Sequence, residues 1–210
     1  MAPTVNPLIP LSLLEAVRRI DTPEEDPDAE YVQELRNKRL GLSDTVYQQI
    51  RRYSDAVKRG QMIPYTEATG LGTLISRRPD AKVLFASAGE ILANDVYGTI
   101  SPGRRKLIHV VPTMVGRRLA LSNMRQIARK FFGGSVTSNT QLVTLVITDS
   151  VTVNSGSPSG GCDYYASALH ELLRLLVKGG GSVEHVHCME RGDSRCEWRA
   201  EWTNAQSQAA

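Results

Sequence analysis

All three cysteines of this 210-residue chain lie in its last quarter, at Cys162, Cys188 and Cys196, and His185 and His187 stand just before the second of them. Thiolate sulfur and neutral imidazole nitrogen are the donors that a tetrahedral zinc ion prefers, so the group reads as a metal site. The competing reading is three small buried hydrophobes, since the spacing lacks the short paired knuckles of the most recognisable zinc motifs. An odd count excludes complete intramolecular disulfide pairing. Cys162 opens an apolar helical stretch from Asp163 to Lys178, where first-turn amides and the helix dipole favour a thiolate. Cys188 ends a predicted strand over 182–187. Cys196 begins the next, over 194–202, after a turn containing Gly192-Asp193. A metal here would staple a helix start to both ends of a hairpin.

Residues Gly161-Cys162-Asp163-Tyr164-Tyr165, followed by Cys188-Met189-Glu190-Arg191-Gly192-Asp193-Ser194-Arg195-Cys196-Glu197-Trp198, carry a resemblance. They are similar to the C-terminal half of the 4-vinyl-reductase domain family, with its cysteine near a helix start and its later Cys-x-x-x-Gly-Asp-x-x-Cys hairpin. That family is similar in fold to subunits of the TRAPP vesicle-tethering complex and, more remotely, to haem-based nitric-oxide sensors. Sensor domains of phenol-responsive bacterial activators carry a zinc held by three cysteines and a glutamate, and the glutamate position falls on His185. The resemblance therefore implies zinc as cofactor, with Cys162, His185, Cys188 and Cys196 as ligands. His187 is the competing imidazole, because strand alternation puts it on the face of His185. The resemblance is specific over 140–202, vague over 80–139 and absent before that. The residues lining the phenol pocket have no clear counterpart here, and the proximal histidine and Tyr-x-Ser-x-Arg element of the haem relatives are not visible.

The elements that must position these residues follow from periodicity. Helices are predicted over 12–20, 29–39, 64–76, 80–97 and 117–132, with another capped by Ser43 or Asp44 and ending at Gly60. In that one Val46, Ile50, Tyr53 and Val57 form an apolar stripe that must be covered, by a dimer partner or by the C-terminal domain. Residues 142–153 alternate as a strand, and 107–111 is a short apolar run that supplies a possible fourth strand. His109 within it reads as a core histidine, and His170 as a surface one. The fold class expected is α+β, an antiparallel sheet with helices on one face, preceded by a helical N-terminal region. The division expected is 1–80 helical, 81–203 ligand-binding and 204–210 a polar tail.

Composition is that of an ordinary globular chain, 41% hydrophobic and 22% charged. No run approaches the roughly 20 apolar residues of a membrane span. The first residues lack a signal-peptide pattern and three free thiols suit a reducing compartment, so a cytoplasmic protein is expected. Residues 96–148 hold Arg104, Arg105, Lys106, Arg117, Arg118, Arg125, Arg129 and Lys130 and no acidic residue, whereas 21–34 hold seven acidic residues and no basic one. The basic set reads as a solvated face meeting the chain's own acidic segment, and no helix-turn-helix signature or interleaved aromatics favour nucleic acid. No nucleophile elbow, phosphate loop or acid–base pair is present. Three functions fit. One is a sensor or regulatory module whose apolar pocket is lined by Met124, Ala128, Phe131, Tyr165, Leu169 and Trp198, acting as a homodimer through a protein partner. The others are an interaction protein like the vesicle-tethering subunits and an accessory of tetrapyrrole biosynthesis.

Overall fold

The computed structural model describes residues 3–22, 41, 43–139, 142–153, 160–177 and 182–201. Its helices are α1 Leu8–Asp21, α2 Asp44–Arg59, α3 Tyr65–Ser76, α4 Ala81–Gly98, α5 Pro102–Val110, α6 Thr113–Ile127 and α7 Gly161–Val177. Strands β1 Thr4–Val5 and β2 Ile63–Pro64 form a short antiparallel pair. The main sheet comprises β3 Gly134–Ser138, β4 Leu142–Ile147, β5 Val183–His187 and β6 Cys196–Glu201, antiparallel throughout in the order β3-β4-β6-β5. The α+β class is as the sequence implies. Among the described residues no helix is long and apolar enough to cross a membrane.

One face of the sheet carries Val143, Leu145, Ile147, Cys196, Trp198 and Ala200, all at most 1% exposed. Helices α6 and α7 lie against the sheet, α4 packs on α7, α1 on α4 and α2 on α1. The α4–α7 crossing is close because Gly89 has no side chain: a Cβ there would stand 2.1 Å from the Tyr164 carbonyl oxygen. The apolar stripe of α2 needs no second chain, since Val46, Ile50 and Tyr53 are buried and Val57 is half-buried within the monomer. The boundary expected at residue 80 falls between α3 and α4.

Several elements depart from the periodicity. The run 107–111 is not a strand but lies in and just after α5. Pro102 opens that helix, and Leu107 and Val110 face outward while Ile108 is buried. His109 is consequently half-buried rather than a core residue, while His170 is exposed as expected. The fourth strand is β3 instead, which escapes the pattern because Val136 is its only apolar residue. The strand expected over 142–153 stops at Ile147. Beyond it the Ser150 Oγ accepts hydrogen bonds from the Thr152 and Val153 amides, curling the chain although Val151 and Val153 remain buried. Helix α1 begins at Leu8, a turn earlier than expected, because Asn6 Oδ1 accepts the Leu8 amide and Pro10 falls in the first turn, where a missing N–H is tolerated. The last turn of the helix expected over 117–132 is π-helical, Ala128–Phe132, before Gly133 ends it in the left-handed region. The helix expected over 29–39, most of the acidic segment, Trp202 and the tail lie outside the described residues.

Candidate metal centre

Cys162 is the second residue of α7, Cys188 follows β5, and Cys196 opens β6. Their three sulfurs and one ring nitrogen of His185 lie within 4.8 Å of one another. The Cys162 and Cys188 sulfurs are 3.6 Å apart. With a Zn–S bond of about 2.3 Å, the edge of a tetrahedral site is about 3.8 Å, so this pair already has the spacing of two ligands on one ion. It is far from the roughly 2.05 Å of a disulfide. The three cysteines are buried and His185 is half-buried.

Local geometry aims the donors inward. The Cys188–Cys196 turn is closed by its own side chains: the Cys188 amide donates to Asp193 Oδ2 at 2.7 Å and the Met189 amide to Cys196 Sγ at 3.4 Å. Gly192 takes φ 95°, a conformation that L side chains rarely adopt, which explains a glycine at this turn. The imidazole of His185 stacks on Trp198, centroids 4.9 Å apart and planes 10° from parallel, which holds the ring facing the sulfurs.

The electrostatics are those of a place for a cation. Cys162, close to Cys196 and buried, has its thiol pushed far up. Cys196 is drawn down despite burial, because the Cys162 thiol, the Met189 amide and His185 all stabilise its thiolate. Ionisation of Cys162 is opposed by repulsion from Cys196, which a divalent ion would remove. The buried Nε2 of His185 and both buried oxygens of the neighbouring Glu190 have no hydrogen-bond partner among the described residues. Burial and the proximity of Cys196 raise the Glu190 carboxyl. The donor set can hold a metal ion and is compatible with zinc.

His187 is not part of the group. A β-bulge interrupts the β5–β6 register, pairing His185 with Trp198 but His187 with Glu197. The alternation that would keep both histidines on one face is broken, and His187 Nδ1 instead lies 3.5 Å from Asp193 Oδ2. No signal in the sequence marks this bulge.

The six residues expected to line a ligand pocket are all buried, five of them at 1% exposure or less. Tyr165 contacts Trp198 with centroids 5.4 Å apart, and Phe132 meets Tyr165 edge-on at 6.1 Å. Phe131 borders an open cleft of about 440 Å³, together with Ile9, Met62, Tyr65, Phe132 and Val151. The N-terminal side of this cleft, Ile9, Met62 and Tyr65, was not foreseen from sequence. It depends on the β1–β2 pairing of two-residue strands too short to leave a periodic signal.

Comparison with family models, with curated proteins and with solved structures finds no match for this chain.

Proposed function

We propose that this protein is a zinc-stabilised, non-catalytic module that binds a small, largely apolar molecule and acts through a partner. The observation that carries the reading is the convergence of Cys162, His185, Cys188 and Cys196 within 4.8 Å. Four protein donors complete a tetrahedral ion and leave no position for substrate or water, the signature of a structural rather than a hydrolytic site. The metal would join α7 to both ends of the β5–β6 hairpin.

The cleft bordered by Phe131 supports the ligand half of the reading, for its volume of about 440 Å³ suits a small molecule. An aromatic column runs inward from its wall, Phe132 to Tyr165 to Trp198 to His185, with successive centroids 6.1, 5.4 and 4.9 Å apart. A ligand that shifts Phe132 would press on the ring that orients a metal ligand. The family resemblance of the cysteine segments points the same way, toward sensor domains. Native mass spectrometry of protein purified without chelator tests both halves. One zinc per chain and a retained small molecule are expected. Protein free of stoichiometric metal would overturn the zinc reading. Zinc-loaded protein that shows no ligand, and no chemical-shift or fluorescence response at Trp198 in a screen of apolar compounds, would overturn the sensor reading.

A further inference from the structure

Helices α5 and α6 form a hairpin that carries half of the exposed large apolar side chains among the described residues. On either side of Pro112, Leu107, Val110, Met114 and Val115 are 48%, 81%, 74% and 47% exposed. Single exposed apolar residues are unremarkable, but four flanking one turn form a patch. The hairpin is held firmly. A Cβ on Gly116 would stand 2.7 Å from the Ile108 carbonyl oxygen, so the two helices meet backbone to side, and the Arg105 guanidinium lies 5.2 Å from the Tyr97 ring centroid.

Cations flank the patch on α5 and extend from it along α6. Arg104 and Lys106 are exposed on α5. On α6 and its π-helical extension, Met114, Arg118, Arg125 and Arg129 are spaced by four, seven and four residues, which places them along one ridge, all exposed. Among the described residues no carboxylate forms an ion pair with Arg104, Lys106, Arg118, Arg125 or Arg129. The expectation that the basic set meets the chain's own acidic segment concerns residues mostly outside those described.

We infer that the α5–α6 hairpin docks on an anionic lipid surface, its apolar tip entering the headgroup layer while the arginine ridge contacts lipid phosphates. Three features select this occupant. Projecting aliphatic side chains continuous with a row of cations are the pattern of an interfacial membrane anchor. A second copy of the chain is disfavoured, since a two-fold contact would set this cationic surface, with Arg104, Lys106 and Arg118, against a copy of itself. Nucleic acid would draw on the arginines but would leave Val110 and Met114 without a role.

The test is co-sedimentation of full-length, metal-loaded protein with vesicles of phosphatidylcholine alone and of phosphatidylcholine with phosphatidylserine at about three to one. Binding is expected to the mixed vesicles only and to fall with added salt. Both V110D/M114D and R104E/R118E should weaken it by at least about tenfold with unchanged melting temperatures, because all four side chains are exposed. Should an aspartate variant fail to fold, V110S/M114S reads the apolar contribution instead. Equal binding to the two vesicle types, or variants that bind like wild type, would overturn the inference. So would retention on immobilised polyglutamate without vesicle binding, which would mark a face for an acidic protein.

Discussion

Removing the metal should lower the melting temperature of the wild-type protein without abolishing its fold, and Cys196→Ser should eliminate that response. Cys162 lies in the first turn of α7, which is already fixed by buried Tyr164, Tyr165, Leu169 and Leu172, and Cys196 sits in register opposite Ile147 of β4. The apo cluster can persist as mostly neutral, hydrophobe-like thiols, so the ion adds to a standing core rather than creating one. Free zinc at about a thousand times its dissociation constant stabilises the native state by about 4 kcal/mol. At about 2–4 °C per kcal/mol for a chain of this size, that is a drop of about 8–16 °C on chelation. Cys196→Ser places a hydroxyl where the sulfur is fully buried and should itself cost about 1–3 kcal/mol. The decisive quantity is the difference between melts recorded with zinc and with chelator, by circular dichroism, in each protein. It should be large in the wild type and close to nothing in the variant. Identical chelator shifts in the two would refute the staple, even with zinc present at stoichiometry.

Two further outcomes follow from the geometry. His185→Gln should reduce bound zinc, read by elemental analysis, whereas His187→Gln should leave it unchanged, because the bulge at Val186 turns His187 toward Asp193. Asp21 is buried and bonded to the Arg78 guanidinium at 2.7 and 2.9 Å, and that bond, with the Gly41 amide, holds its carboxyl below the usual range despite the opposing effect of burial. Its contribution is therefore fully present above the ordinary carboxylate range and is lost as pH falls through the depressed native value. Asp21→Asn should cost about 2–3 kcal/mol at neutral pH, less than a fully buried pair because Arg78 retains Asp80, and denaturant titration at neutral and acid pH should show the difference shrinking in acid.

The cysteine–histidine cluster was legible in the sequence because its signal is chemical: few residue types combine into such a donor set, and where the strands end matters little to recognising it. The choice between the two histidines was not legible, since it depends on one extra residue in β5 that leaves no mark in hydropathy. Long amphipathic elements such as α2, α4 and α7 were also readable. The run 107–111 misled because an exposed patch and a buried strand look alike in composition. Conversely β3 is an edge strand that buries only Val136, too little to announce itself. The stripe of Val46, Ile50 and Tyr53 shows that a surface must be covered but not by what. Only the packing of α1 identifies its cover.

The Ser12 hydroxyl lies 3.1 Å from the Tyr164 hydroxyl, across 152 residues of chain, and both side chains are fully buried. This has a consequence during synthesis on the ribosome. The inner face of α1 is synthesised before α2 and α4, which pack on it, and 152 residues before the tyrosine that bonds Ser12. At about 5–20 residues per second, the Ser12 hydroxyl waits on the order of ten seconds for that partner. Helix α1 can meet α2 and α4 well before then, but its buried Ser12 hydroxyl gains its long-range partner only once Tyr164 has been made. Termination before α7 would uncover the face of α4 that packs on it, leaving a fragment prone to aggregate rather than a smaller folded unit.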